Sequence, residues 1–268
     1  MSAEDKYARL LEQLRSLSGA VVAFSGGVDS TLLLRAALDA LGDRVLAVTA
    51  RSPTYTPGEE TCARDIALQL GAKHRLIDTD ELADPEFAKN PPTRCFACKR
   101  ELFCKLRVLA DEAGGWEVLE GANADDLHDY RPGRRAAQEA KVRSPLVEVE
   151  LTKAEIRELA HARGLPNWDA PSQACLASRL PYGETITVER LERITRAEAA
   201  LRAHGFTILR VRDHGNVARL EVAPADVPRL LDAELRAAVV RDVKAAGYTF
   251  VALDLEGYRT GAMNEVLR

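Results

Sequence analysis

The 268-residue chain lacks an apolar run approaching the roughly 20 residues that span a bilayer, and it shows no internal repeat and no low-complexity segment. Its opening residues, Met-Ser-Ala-Glu-Asp-Lys-Tyr-Ala-Arg-Leu-Leu, read as an amphipathic helix and not as a signal peptide, so a cytoplasmic location is expected. There is no excess of basic side chains: the formal net charge is −4, which argues against an extended nucleic-acid surface. Nor is there an even set of cysteines from which to build a disulfide framework. The five that are present point to thiol chemistry or metal ligation instead. The histidines (His74, His128, His161, His204, His214) show no metal-ligand spacing. What is present, 46% hydrophobic and 29% charged residues, suffices for the cores of one large or two modest domains.

One further absence is the most informative. Residues 25–30, Ser25-Gly26-Gly27-Val28-Asp29-Ser30, sit between the apolar run Ala20–Phe24 and the helical pattern Thr31–Leu38, yet no Gly-Lys-Ser/Thr closes the loop. This is therefore not the Walker loop that grips β- and γ-phosphates with a lysine. A strand, a tight glycine turn and a helix still aim backbone N–H groups and the positive end of a helix dipole at an anion. Two adjacent glycines let the backbone approach phosphate closely, and Ser25 and Ser30 add hydroxyls. The motif resembles the PP-loop of the N-type ATP pyrophosphatases. That resemblance implies release of pyrophosphate, with AMP left on an acyl or amide oxygen.

Strand candidates at 45–50, 73–78 and 116–121 alternate with helical patterns at 57–71 and beyond, which predicts an α/β, doubly wound parallel sheet. Ligands of such sheets bind at the carboxyl ends of the strands. The loop after strand one, Thr49 to Ser52 after strand two, and Gly121–Asp126 after the 116–121 strand all fall there. From about residue 185 the pattern changes to a helix (188–204), a hairpin (206–212 turning at 213–216 into 217–222), helical segments over 224–246 and a last strand at 249–255. We therefore expect a PP-loop domain over 1–183 and a small C-terminal α+β domain over 184–268.

Cys95 and Cys98 open a helix after Asn90-Pro91-Pro92, one turn apart, with Cys98, Leu102, Leu106 and Leu109 on one face. Cys104 lies about 120° away and reads as a packed small hydrophobe, and Cys62, mid-helix, reads as structural. A lone Cys-x-x-Cys is compatible with a partial zinc site or a redox pair; a structural zinc needs four ligands and no second such pair exists. Cys175 lies in a loop-rich stretch among small residues, with Arg179 near enough in sequence to stabilise a thiolate or bind a phosphate.

The stretches SGGVDST (25–31), RCFACKRELF (94–103), GANADDLHDYRPGRRA (121–136), SPLVEVELTKAEIRELA (144–160), ACLASRLPYG (174–183), GFTILRVRDHGNVARLEV (205–222) and TFVALDLEGYRTGAMNE (249–265) resemble the LarE family of ATP-dependent sulfur transferases, which serves nickel-pincer nucleotide synthesis. The resemblance implies that a carboxylate of pyridinium-3,5-dicarboxylate mononucleotide is adenylated, releasing pyrophosphate, and that sulfur then displaces AMP to leave a thiocarboxylate. In much of the family the cysteine matching Cys175 gives up its own sulfur and ends as dehydroalanine. Other members resemble cluster-dependent thiolases, in which a Cys-x-x-Cys and one distant cysteine hold a 4Fe-4S cluster. Cys95, Cys98 and Cys175 fit that three-cysteine pattern, and it is the version expected here.

ATP polyphosphate is expected on Ser25, Gly26, Gly27, Val28, Asp29 and Ser30, with Mg²⁺ on Asp29, whose alternative role is to cap the helix. Thr49 and Ser52 are placed to meet the adenosine. Asp125 and Asp126 read as a second magnesium contact or as an exposed acidic turn, and Arg131, Arg134 and Arg135 as anion ligands or solvated side chains. Arg210 and Arg212 share one side of a strand, either pinching the mononucleotide phosphate or salt-bridged on an edge-strand face. Arg259 is an anion-binding candidate by resemblance. The partners expected are a small-molecule substrate and further copies of the same chain in a homo-oligomer, with no nucleic acid and no membrane. Other functions compatible with the sequence are an ammonia-dependent amide-forming synthetase, which has no need of Cys175, a tRNA thiolase, which needs an RNA-binding module and a basic face, and a non-enzymatic adenine-nucleotide sensor.

Overall fold

The computed structural model describes residues 1–127, 132–171, 174–259 and 261–267. His128 and Arg131 lie outside them. The chain forms two compact units, one of residues 1–87 with 93–173 and the other of residues 88–92 with 174–268. Residues 174–183, which the sequence pattern assigns to the first domain, pack in the second unit. The short strap 88–92 explains this: buried Asn90 donates from Nδ2 to the carbonyls of Leu180 and Pro181 (3.3 and 2.8 Å) and accepts the Gly183 N–H at 2.9 Å.

The first unit is built on four parallel strands: β1 (Ala20–Ala23), β2 (Val45–Arg51), β3 (Lys73–Asp78) and β4 (Glu117–Glu120). They run in the order β3-β2-β1-β4. Side chains alternate strictly between two cores. Ala20, Val22, Val45, Ala47 and Leu119 face helices α1 (Ala3–Arg15), α2 (Val28–Leu41), α3 (Pro57–Gln69) and α8 (Lys153–Ala162). Val21, Val48 and Val118 face α5 (Arg94–Glu112) and α6 (Gly133–Glu139). Short turns α4 (Pro85–Ala88) and α7 (Pro145–Glu148) complete the helical set. Crossovers leave β1 toward β2 on one face and reach β4 from the other. The chain therefore reverses between β1 and β4, and ligands of such sheets bind at the carboxyl ends of the strands at that point.

The second unit contains α9 (Val188–Ala203), the antiparallel pair β5 (Leu209–His214) and β6 (Val217–Val222), then α10 (Ala233–Ala245) and β7 (Phe250–Leu253), which pairs parallel to β6. Leu209, Val211, Leu220 and Val222 pack on Ala197, Leu201, Val239 and Val243 of the two helices. The expected strand from 206 begins only at Leu209, because Phe206 follows the helix-ending Gly205 and is buried beneath α9. The helical segments expected over 224–246 are two: Pro228 lacks a donor, so 224–231 stays a 3-10 turn, and Asp232 caps α10 by accepting the Leu235 N–H at 2.8 Å.

Two cysteines depart from expectation. Cys104 is exposed, because the buried stripe of α5 runs through Phe103, Leu106 and Ala110. Cys62 is exposed as well, on the open side of α3, where it lines a groove with Asp65, Gln69 and Asn167.

Buried ion pairs hold the second unit. Asp213 is fully buried and is met by Arg190 (2.7 Å), Arg193 (2.5 Å) and the Tyr248 hydroxyl (3.1 Å). Glu198, equally buried, takes Arg179 at 2.8 Å. Burial raises both carboxyls, but the arginines outweigh it and hold them below their ordinary values of 3.8 and 4.5. Their stabilisation is complete above the unfolded-state values and disappears as pH falls through the lower folded ones. Thermal unfolding followed from pH 7 to 3 should therefore show the midpoint of this unit dropping below about pH 4; a midpoint unchanged down to pH 3 would contradict the assignment.

Candidate functional site

The loop after β1 is shaped by its two glycines. Gly26 has φ +74°, and a side chain there would bring Cβ to 3.0 Å from Ala63 Cα of α3. Gly27 begins α2 with no side chain capping it, which leaves the first-turn N–H groups facing the loop. The serines tie the turn together: Ser30 Oγ donates to Gly27 O at 3.0 Å and lies 3.2 Å from Ser25 Oγ. From behind, Asn167 Nδ2 donates to Gly26 O at 2.7 Å and to Thr31 Oγ1 at 3.0 Å.

The loop after β4 comes against the start of α2. A Cβ on Gly121 would stand 2.9 Å from Ser30 N and 3.0 Å from Ser30 Cα, so only glycine fits without backbone movement. This contact brings Asp29 beside the turn Ala124–Leu127. Asp29 is gripped through both oxygens by Lys153 Nζ (2.8 and 2.7 Å) at the start of α8. Burial pushes the Asp29 carboxyl up, Lys153 opposes that shift, and Asp126 reinforces it. Asp126 accepts the Asn123 N–H at 3.0 Å and is buried, whereas Asp125 is exposed and accepts the Lys153 N–H at 2.9 Å. Lys153 is the residue the sequence reading missed. Its only local signal is its place just inside the capping box Thr152…Glu155, where a helix start returns to the carboxyl edge of the sheet.

Thr49 and Ser52 lie at the carboxyl end of β2 as expected, but their hydroxyls are engaged within the protein. Thr49 Oγ1 donates to Phe24 O at 2.7 Å and sits 2.8 Å from His74 Nε2. Burial holds His74 below its ordinary value, so the ring is neutral at pH 7. Ser52 Oγ and Thr54 Oγ1 both donate to buried Glu81 (2.5 and 2.6 Å), which fixes the β2–α3 loop.

Cys95 is exposed and Cys98 partly so, both on the first turn of α5. The adjacent Phe96 ring has the Arg135 and Arg100 guanidiniums 4.4 and 5.6 Å from its centroid. Lys99 donates to buried Glu120 at 2.5 Å. Among the described residues, no group of three or more His, Cys, Asp or Glu side chains is arranged to hold a metal ion. Arg134 reaches toward Leu127 O at 3.5 Å, and Arg135 pairs with Glu139 on the surface.

In the second unit, Cys175 heads the turn Leu176–Arg179 and is partly exposed. Arg179 is buried and already committed. It donates to Glu198 through Nε and Nη2, and through Nη1 to the carbonyls of Ala174 and Cys175 and to Ser178 Oγ. It is therefore the anchor of the cysteine turn and not an open anion ligand. Arg212 makes two bonds to buried Glu221 (2.8 and 2.7 Å) and a third to Ser178 O at 2.8 Å. This is the salt-bridged alternative, extended to hold the same turn. Arg210 donates to Leu209 O and lies 5.1 Å from the Tyr258 ring centroid. Burial, with Arg179 and Arg212 adding like charge against the opposing pull of Glu198, holds its guanidinium below the usual arginine range. Arg259 is paired with Glu256 at 2.8 Å and with Glu265.

Comparison with known proteins follows the same lines. Residues 19–89 match the family model described as queuosine biosynthesis protein QueC. An uncharacterised protein of Synechocystis is 44% identical over 264 residues, covering 98% of both chains. The 7-cyano-7-deazaguanine synthase of Polynucleobacter asymbioticus is 29% identical, covering 54% of this chain and 74% of that enzyme. The pyridinium-3,5-bisthiocarboxylic acid mononucleotide synthase of Lactiplantibacillus plantarum is 39% identical over 263 residues, 98% of this chain and 95% of the relative. With the PP-loop, the cysteine turn and their supports all carried on one chain, this protein belongs to the family of that synthase, the LarE sulfur transferases, which are ATP-using enzymes of the PP-loop type.

Proposed function

We propose that the enzyme converts a carboxylate of pyridinium-3,5-dicarboxylate mononucleotide into a thiocarboxylate at the expense of ATP. The observation that carries this reading is Cys175, a partly exposed thiol in a turn pinned by Arg179, on a chain that also bears an uncapped PP-loop. The polyphosphate lies on residues 25–30, with Lys153 released from Asp29 to meet it. Asp29 and Asp126 supply the hard oxygens that suit Mg²⁺, which when bound offsets the polyphosphate charge. A substrate carboxylate oxygen bonds to the α-phosphorus, and pyrophosphate leaves with the electrons of the broken P–O bond. Sulfur then bonds to the carboxyl carbon, and AMP leaves. Arg210 is the anion site for the substrate phosphate.

For the sulfur source we propose Cys95, Cys98 and Cys175 as ligands of a 4Fe-4S cluster. The donor chemistry suits it: Cys95 and Cys98 are accessible thiols one helical turn apart, and Cys175 is accessible too. When bound, that cluster would supply an exchangeable sulfide. The second reading is favoured by the Cys175 turn, which Arg179 and Arg212 hold through hydrogen bonds to its backbone carbonyls. In it the Cys175 Sγ–Cβ bond breaks as the Cα proton is lost, the sulfur stays with the substrate, and dehydroalanine remains.

Intact-protein mass after anaerobic reaction with ATP, magnesium and the dicarboxylate mononucleotide, together with an iron and sulfide assay, separates the two. We expect unchanged mass, bound iron and several products per chain. Loss of one sulfur, mapped to position 175, with product capped near one per chain, would replace that reading with the sacrificial one. Absence of any thiocarboxylate would overturn both.

A further inference from the structure

We infer that Asn167 is a positioning residue for the polyphosphate, setting the orientation of the Gly26–Gly27 peptide. The inference rests on the reading that residues 25–30 hold the polyphosphate of ATP. Asn167 lies beyond the end of α8 and is 141 residues from the loop in sequence, yet it is buried directly behind it. Its Nδ2 spends both hydrogens on the loop and on the first turn of α2: one goes to Gly26 O at 2.7 Å and the other to Thr31 Oγ1 at 3.0 Å.

In a trans peptide the C=O and the following N–H point in opposite directions. Holding the Gly26 carbonyl back toward Asn167 therefore turns the Gly27 N–H to the other side of the peptide plane. There it rests 3.3 Å from Ser25 Oγ, on the side of the loop lined by the two serine hydroxyls. A glycine pair has little intrinsic preference for one peptide orientation over its flip. Gly26, at φ +74°, has no side chain with which to resist the flip, and a Cβ there would stand 3.0 Å from Ala63 Cα, so none can be added to supply one. Asn167 supplies that missing preference. Its second bond fixes its own amide to α2, so the carbonyl is held against the helix that supplies the other N–H donors. Among the described residues Asn167 Oδ1 is buried and accepts no hydrogen bond, so the two Nδ2 bonds are the polar contacts that orient the amide.

The test uses near-isosteric changes in the full-length protein. Asn167→Asp replaces the donor by an acceptor, and Asn167→Leu removes it without adding charge. Calorimetry with Mg²⁺ and α,β-methylene ATP is compared with calorimetry using AMP, which lacks the β- and γ-phosphates. The expected result is that affinity for the ATP analogue falls about tenfold in both variants, the scale of one orienting hydrogen bond, while AMP affinity stays within about twofold and the far-UV spectrum is unchanged. Equal analogue affinity in wild type and variants would overturn the inference. So would parallel losses for the analogue and AMP, which mark ordinary destabilisation. Carboxylate-dependent ATP–pyrophosphate exchange by the wild type is measured alongside. Its absence, with analogue binding intact, would bring down the adenylation reading and leave the role of Asn167 decided by the binding data.

Discussion

With Cys175 replaced by serine, thiocarboxylate formation is expected to fall to less than about one-thousandth of wild type, while carboxylate-dependent exchange of pyrophosphate into ATP continues. The two half-reactions use different parts of the chain. On the proposed reading adenylation depends on the PP-loop, Lys153 and Asp29, all in the first unit, whereas Cys175 belongs to the second. Serine fills the same space and leaves intact the backbone carbonyl at 175 that Arg179 holds at 3.0 Å, so the turn persists without its sulfur. Both sulfur-source readings lose activity in this variant, one through a missing ligand and the other through a missing donor. Exchange measured with labelled pyrophosphate, alongside product detection at the pyridinium chromophore, checks the claim. Loss of both activities together would place Cys175 in binding and not in sulfur transfer.

Arg179→Ala is expected to be the most destabilising single change in the second unit, at about 3–5 kcal/mol, because it takes the buried cationic partner from a fully buried carboxylate. Glu198 has no solvent exposure and would keep only the Val211 N–H at 3.2 Å and the outer guanidinium of Arg202 at 3.1 Å. The Ala174 and Cys175 carbonyls lose their donor in the same step. For a unit of this size the unfolding midpoint should drop by more than about 10 °C. Changing both partners, Arg179→Met with Glu198→Leu, should recover much of the stability but not the activity, since the cysteine turn remains unanchored. Differential scanning calorimetry of the three proteins separates these effects. A double variant no more stable than Arg179→Ala alone would show that the charge imbalance is not the source of the loss.

Much of the scaffold could be read from local pattern. The β3 strand at 73–78 and β6 at 217–222 fall where alternation and turn residues put them, and α3 begins at Pro57 as its Pro-Gly-Glu-Glu start predicts. Such features are legible because periodicity and caps are short-range. The parallel sheet followed from the alternation of elements, and with it the position of the PP-loop at a carboxyl edge. What could not be read were partnerships across sequence distance. Lys153 reaches Asp29 over 124 residues and Asn167 reaches Gly26 over 141, and nothing in either neighbourhood announces the partner. The roles of the arginines are hidden for a related reason. Arg179 and Arg212 look like anion ligands until Glu198 and Glu221 arrive from other elements to occupy them. Cys104 was taken for core because small apolar residues usually are, but one step of about 100° around α5 separates it from the buried Phe103.

The contact at Gly121 has a consequence for how such enzymes can diversify. Because the loop after β4 meets the start of α2 backbone to backbone, with a Cβ at 121 only 2.9 Å from Ser30 N, the two segments cannot be exchanged independently between relatives. The stretch matched by the QueC family model ends at residue 89, so a chimera that imports it alone takes the helix without the surface on which that helix rests. Recombination at that boundary succeeds only between parents that both keep glycine opposite the helix start.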